Sequence, residues 1–487
     1  MHDELQTARY VRISAMEDGL TLAEIAFLTP EGGVWPVTAV TGNGMADPLL
    51  FVDEQSTVPE HPSYYSGTYF DEIYHVRTAY EHLHGLHTYE WTHPPLGKLL
   101  IALGIAIFGM NPFGWRFMGA LSGVIMVPLT YLLMRQLSKK KLPAFFAMML
   151  MALDCMHFTQ TRVGTIDSFA VMFIMFMYLF MFRYARMSFY HEPLRKTLVP
   201  LALCGVSFAL GCATKWICIY AGVGLAVLFF YSLVRRYLEY GYARLGMRAL
   251  TPEEKKIAQR ATKNFWRYAY LTCLWCCVFF ILVPLVVYYF SYYWQLAPDG
   301  DFNVREVIEL QKNILSYHAG LGDDDHYFRS PWYEWPLIIR PMWYYSGNEF
   351  MPDGYISSIS CMGNPAVWWG GLIGLIYTAV KLALSRGRDK KCLLLIISFA
   401  SQFLPWVLVP RSTFIYHYFA SVPFIILCAG VLIEDIERRN RKIAYLVSGV
   451  WIGLAGVLCA AFYPLMSGLP ALRSYAKYLR WFNWYNY

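Results

Sequence analysis

The stretch Y-F-D-E-I-Y-H-V-R-T-A-Y-E-H-L-H-G-L-H-T-Y-E-W-T-H-P-P-L-G-K, Tyr69 to Lys98, is the densest cluster of acids, histidines and aromatics in the chain. Long apolar segments begin directly after it. Asp71 and Glu72 stand where a helix should start, because carboxylates favour a positive N-terminus. Ile73, Val76, Tyr80 and Leu83 then recur at helical spacing on one face, and Gly85 is a natural stop. His93-Pro94-Pro95 breaks the chain and opens a second helix, Leu96 to Phe108, which is apolar but too short to cross a bilayer. The reading is of two helices at a membrane surface, with adjacent carboxylates at the water–lipid boundary. A bare helix start also favours acids, so the pair needs support from the rest of the chain.

The composition supplies the class. Hydrophobic residues make up 57% of the 487 and charged residues only 15%, against about 25% charged in soluble chains. Aromatics at 17% suit a multi-pass membrane protein with interfacial Trp and Tyr. Ten apolar spans follow in series: Phe113–Met134, Pro143–Met156, Ser168–Met181, Leu198–Cys212, Trp216–Leu233, Tyr268–Phe290, Ala366–Leu384, Cys392–Val409, Phe419–Ile433 and Ile443–Tyr463. Every second connection is basic. The five loops starting at Arg135, Arg183, Arg235, Lys381 and Arg438 hold 26 of the 41 Lys and Arg. By the positive-inside rule these loops face the cytoplasm. The net charge of +7 is therefore a topology signal, not a nucleic-acid footprint. The alternate loops face out, and the longest of them, Tyr292 to Pro365, carries ten acids and four bases. Cys273-x-x-Cys276 falls inside a span, where it reads as packing.

Residues 1–68 are polar and not membrane-like. Ala8 to Gly33 reads as two or three short strands with turns at Asp18-Gly19 and Glu31-Gly32-Gly33. They resemble the last strands of a discoidin-like β-sandwich, which needs about 100 residues to stand alone. A chain starting outside with no signal peptide points the same way, to a missing first membrane helix and an N-terminally truncated chain. The expected divisions are 1–50 as the sandwich remnant and 51–112 as a first outer loop with two interfacial helices. Residues 113–291 hold membrane helices, 292–365 the long outer loop, 366–465 the remaining membrane helices and 466–487 an outer tail.

Polar motifs gather on the outer side, where ionisable residues near membrane depth are costly and usually functional. Six of them, in order, resemble one family: F-D-E at Phe70–Glu72, H-P-P-L-G-K at His93–Lys98, G-W-R-F at Gly114–Phe117, Q-T-R-x-x-T-I-D-S at Gln160–Ser168, M-G-N-P at Met362–Pro365 and R-x-x-F-x-Y-H-Y at Arg411–Tyr418. Together they are similar to the polyprenyl-phosphate-mannose–protein O-mannosyltransferases, glycosyltransferase family 39. The resemblance covers about residues 69–465. It implies an all-α polytopic membrane protein of the GT-C fold, with about ten membrane helices, surface helices in the first outer loop and a short β fragment before it. The family has one further membrane helix, and its eukaryotic members carry a β-trefoil-type insertion in the long outer loop that this chain lacks. That favours a bacterial enzyme of the plasma membrane using undecaprenyl phosphate, with its active site on the extracytoplasmic face.

The implied reaction moves mannose from a polyprenyl-phosphate carrier to Ser or Thr hydroxyls of exported proteins, with inversion. A hydroxyl is a poor nucleophile at neutral pH, so a carboxylate must take its proton. The resemblance gives that role to Asp71, with Glu72 positioning acceptor or sugar. The leaving phosphate needs fixed cations. Arg116 and Arg411 match it through the guanidinium fork. Lys98 and Arg162 are weaker candidates, Asp167 would orient an arginine or sugar hydroxyls, and His93, His417 and Tyr418 would meet sugar or phosphate. Arg116 and Arg411 also read as interfacial anchors, His318 and His326 as loop hydrogen-bonders, and Asp323-Asp324-Asp325 as a solvated patch. No metal motif is visible and no cofactor is required; a divalent ion is left open. Other readings are a sugar transfer to a lipid or glycan, an inactive truncated chain, and a lipid or sugar transporter. Transporters bind near the midplane, whereas these motifs sit at one end of the spans. The oligomeric state is not encoded legibly.

Overall fold

The computed structural model describes residues 11–13, 25–29, 33–37, 39–42, 48–53, 55, 59, 63–246, 251–322, 326–482 and 485. Asp323-Asp324-Asp325 and the Asp18-Gly19 turn lie outside them. The chain forms two compact units, residues 1–67 and 68–487. In the first, β1 (Phe27–Leu28) and β2 (Val34–Trp35) pair antiparallel, and the Thr29 amide donates to the Gly33 carbonyl at 2.7 Å.

The second unit is helical. Its outer-loop helices are α1 (Glu72–His84) and α2 (Leu96–Phe108). Gly85 ends α1 in the left-handed region at φ 62°, which a side chain would resist. Pro95 caps α2, whose bounds match the sequence reading. The face of α1 differs from that reading. Glu72, His75, Ala79 and His82 point inward with Val76, while Ile73, Tyr80 and Leu83 are exposed. In a membrane protein an apolar stripe can face lipid as readily as core, so periodicity alone does not assign the inner face.

The bundle then runs α3 (Pro112–Leu137), α4 (Lys141–Ala152), α5 (Cys155–Arg162), α6 (Asp167–Arg186), α7 (Leu194–Thr214), α8 (Ile217–Gly246), α9 (Pro252–Cys277) and α10 (Val283–Ser291). A π segment, Val278–Leu282, joins the last two. The outer loop holds α11 (Tyr293–Leu296), α12 (Val304–Gly320), β3 (Met342–Ser346), β4 (Tyr355–Ile356) and β5 (Ser358–Cys361). After it come α13 (Pro365–Leu384), α14 (Lys390–Phe403), α15 (Val422–Arg439), α16 (Arg441–Ser467), β6 (Ala471–Leu472) and α17 (Arg473–Leu479). β3 pairs with β5 and β4 with β6, both antiparallel, so the tail is tied to the long loop.

Among the described residues nine helices are long and apolar enough to span a membrane, and α4 with α5 makes a tenth bent by 55°. All ten coincide with the sequence spans. The segments around α6 and α15 are central, with 78% and 83% of their most apolar stretch buried, whereas the α9–α10 span and α16 bury 11% and 17% and line the perimeter. Caps fix the ends: Asn111, Asn364, Asp389 and Asn440 accept from first-turn amides of α3, α13, α14 and α16. Asn364 also donates to the carbonyls of Leu153 and Ala455, 2.9 and 2.8 Å away, and its amide meets Asp154 at 3.1 Å. The M-G-N-P motif therefore pins the α4–α5 break to α13 and α16.

Basic loops meet at one end of the bundle. Arg186 donates to the Gln136 carbonyl at 2.6 Å and Arg235 to that of Ala185 at 3.3 Å. Lys140 lies 3.7 Å from Glu437, Lys391 2.6 Å from Glu434, and Lys381 pairs with Asp435. Single cysteines at Arg388 and Arg439 should therefore be shielded from impermeant reagents in intact cells, while those at Asp353 and Tyr478 should label. Labelling of Arg388 and Asp353 from the same side would overturn this topology.

Candidate active site

The opposite end of the bundle gathers the polar motifs. Asp71 caps α1 without bonding its amides, and among the described residues no hydrogen bond engages its carboxylate. It is half-buried. Phe70 before it is held at φ 55°, a strained conformation for a bulky residue, costing about 1–3 kcal/mol. Its ring stacks on Tyr344 with centroids 3.9 Å apart and meets Tyr416 edge-on at 5.9 Å. Aromatic packing thus aims the backbone that carries Asp71. Burial raises the Asp71 carboxyl to about 7; Lys215 opposes this and Asp167 and Glu90 add to it. A carboxyl poised near neutrality is suited to general base work.

Glu72 is the adjacent residue and has the opposite environment. It is fully buried, and its carboxylate accepts from Arg116 Nε and Nη2, both at 2.7 Å. The Gly164 amide at 2.7 Å and the Tyr69 amide at 3.1 Å complete its shell. Glu72, expected to position acceptor or sugar, instead spends its carboxylate locking α1 to α3 and to the turn before α6. The same pair holds Arg116, expected at the phosphate. Lys98 is likewise fully buried, donating to Glu90 Oε2 at 2.7 Å and to the carbonyls of Glu90 and His93. Arg162 donates to the Met466 and Ser467 carbonyls at 3.3 and 2.9 Å, closing the end of α16. Tyr418 is fully buried between Trp368 and Phe403, facing the core. These four cationic and aromatic side chains turn inward because each finds buried acceptors or ring partners there.

The cationic side of the site is built by other residues. Lys215, at the α7–α8 turn, lies 2.7 Å from Asp167 Oδ1, and its Nζ sits 5.9 Å from the Tyr416 ring. Arg411 Nη1 approaches His318 Nδ1 at 3.3 Å, and His318 Nε2 lies 3.0 Å from the Thr92 carbonyl. A guanidinium only donates, so Nδ1 accepts and Nε2 carries the proton. Burial, with His93 and Arg411 nearby, lowers His318 to about 4, in keeping with that neutral form. No carboxylate forms an ion pair with Arg411 among the described residues. His417 packs between Trp406 and Tyr416 and bonds through Nδ1 within the Phe414 turn. His93 is bonded to Glu90 Oε1 at 3.2 Å. Burial alone would raise the Glu90 carboxyl; Lys98 and the His93 bond outweigh it and hold it well below the carboxylate range.

Sequence reasoning thus reached Asp71, Asp167, Arg411, His93 and His417, and the fold brings them to one end. It gave Lys215, Glu90, His75 and Tyr416 no role in the site. Lys215 falls in the tight turn between the apolar spans Leu198–Cys212 and Trp216–Leu233, and that is the signal that could have found it.

Two family models match the chain: "Dolichyl-phosphate-mannose-protein mannosyltransferase" over residues 92–251 and "C-terminal four TMM region of protein-O-mannosyltransferase" over 303–485. The polyprenol-phosphate-mannose–protein mannosyltransferase of Mycolicibacterium smegmatis is 26% identical, covering 82% of this chain and 84% of its own. That of Mycobacterium tuberculosis is 25% identical, covering 82% and 83%. Among solved structures, the Saccharomyces cerevisiae protein O-mannosyltransferase Pmt1–Pmt2 complex bound to the sugar donor superposes with TM-score 0.70 at 13% identity, covering 86% and 89%. ArnT from Cupriavidus metallidurans gives 0.50 at 17% identity, covering 80% and 60%. With both halves of its helical unit matched, and six motifs in order, this chain belongs to the protein O-mannosyltransferase family.

Proposed function

We propose that this protein moves mannose from a polyprenyl-phosphate carrier to Ser or Thr hydroxyls of proteins, with inversion, on the extracytoplasmic face of the plasma membrane. The observation that carries the mechanism is the division of labour between two neighbouring acids. Glu72 is saturated by Arg116 and two amides, whereas Asp71 is left unbonded among the described residues and poised near neutrality. Asp71 takes the acceptor proton as the hydroxyl oxygen attacks the anomeric carbon. The carrier phosphate leaves from the opposite side of that carbon, which inverts it. Its growing charge is met by Arg411, with the fork geometry suited to phosphate, and by Lys215. Asp167 holds Lys215, and His318 aims Arg411.

Transfer of labelled mannose from polyprenyl phosphate mannose to a Ser/Thr-rich peptide, by the purified chain in detergent, tests this reading. Transfer to lipid or glycan acceptors alone would overturn it. Arg411→Lys keeps the charge but loses the fork and should raise donor KM about tenfold, and Arg411→Ala more. Unchanged donor KM in both variants would make Arg411 an interfacial anchor.

A further inference from the structure

α1 and the loop between α1 and α2 bring three metal-binding side chains together. His75 lies on the buried face of α1, one turn beyond Asp71. Glu90 and His93 come from the loop before the Pro94-Pro95 break. One donor atom from each lies within 4.8 Å of the other two. The rings of His75 and His93 have centroids 5.8 Å apart. The positions have no metal-motif spacing, so only the fold assembles them.

A second observation points to a ligand. His75 is 4% exposed, and its Nδ1 has no hydrogen-bond partner among the described residues. An unsatisfied buried polar atom costs about 1–3 kcal/mol. His82, also buried on α1, lacks partners for both ring nitrogens among the described residues, so it is the convergence with Glu90 and His93 that sets His75 apart. The objection is Lys98, an ammonium 2.7 Å from Glu90 Oε2. It engages only that oxygen and divides its remaining bonds between two carbonyls. The other oxygen, Oε1, is the one beside His93, and it also accepts from the Thr92 hydroxyl. Lys98 and the Thr92 amide, 2.8 Å from Oε1, act as outer partners that orient the carboxylate.

We propose that His75, Glu90 and His93 bind one divalent transition-metal ion of the zinc class. Two imidazoles and one carboxylate match the donor preference of zinc, with a fourth position open to water. Calcium and magnesium favour all-oxygen shells. The ion would tie α1 to the loop and so fix the helix whose first residue follows Asp71. It is a structural clamp in this proposal, independent of which sugar is transferred.

The test uses the full chain purified in detergent, with zinc supplied and excess removed, and counts zinc per chain by mass spectrometry. Cobalt substitution is read by visible absorption. The expected result is about one zinc per chain and the intense bands of a four-coordinate cobalt site. His75→Ala and His93→Ala should each weaken retention by at least about tenfold. His84→Ala, at the exposed end of α1, should leave it unchanged. Retention in both His75→Ala and His93→Ala, or wild type holding less than about a tenth of an equivalent, would overturn the proposal. If His75→Ala does not fold, the wild-type cobalt spectrum decides: weak octahedral bands, or none, would also overturn it.

Discussion

Asp71→Asn is expected to lower turnover by about 10²- to 10⁴-fold while the protein still folds. The amide keeps the size of the carboxylate but cannot take a proton. Nothing structural depends on the charge, because Asp71 caps no amide of α1. The carboxyl is raised from 3.8 to about 7 in the folded protein. The folded state therefore holds the proton more tightly than the unfolded state, and this contribution to stability is lost as pH rises through about 7. Above that pH the ionised carboxylate is a net cost, which asparagine removes. Thermal stability of Asp71→Asn in detergent at pH 8 should thus equal or exceed wild type. In wild type, kcat/KM should fall as pH drops below about 7, with the limb of a single ionisation. An ordinary carboxylate would hold activity down to about pH 5. A folded Asp71→Asn variant with more than about a tenth of wild-type turnover would remove Asp71 from the base role.

The second large effect is on stability. Breaking a buried ion pair by removing one partner costs about 3–5 kcal/mol, because the other charge stays buried. Arg116→Ala strands Glu72, which is fully buried and keeps the Gly164 and Tyr69 amides alone among its donors from the described residues. Glu72→Ala removes the same pair from the other side, taking away the two 2.7 Å bonds that join α1 to Arg116 of α3. Both variants should show a lowered midpoint of thermal unfolding in detergent and reduced recovery from membranes. Activity should fall in proportion to the folded fraction, with donor KM nearly unchanged. Exposed pairs such as Lys312–Glu309 should give less than about 1 kcal/mol on the same assay. If Arg116→Ala keeps wild-type thermal stability and raises donor KM, Arg116 is a phosphate ligand after all, and the ion pair is incidental.

Much of the architecture was written in the sequence. Spans are set by runs of apolar residues long enough to cross a bilayer, and basic loops at alternate turns order them; both are local properties. The bounds of α1 and α2 were legible too, because Gly85, Pro94 and Pro95 act on the backbone within a turn. Asp71, at a helix start among motifs in family order, was also legible. The sequence could not say which of two adjacent acids stays unbonded. Asp71 and Glu72 differ by about 100° around a helix axis, and only the placement of Arg116 and Gly164 gives Glu72 three of its four donors. Nor could it separate Tyr416 from Tyr418. The irregular turn before α15 sends one ring toward the site and the other between Trp368 and Phe403. The inward face of α1 was not legible for the same reason. When lipid is the solvent, apolar side chains are at home on either side, and the buried face is set by the polar partners that tertiary packing brings to it.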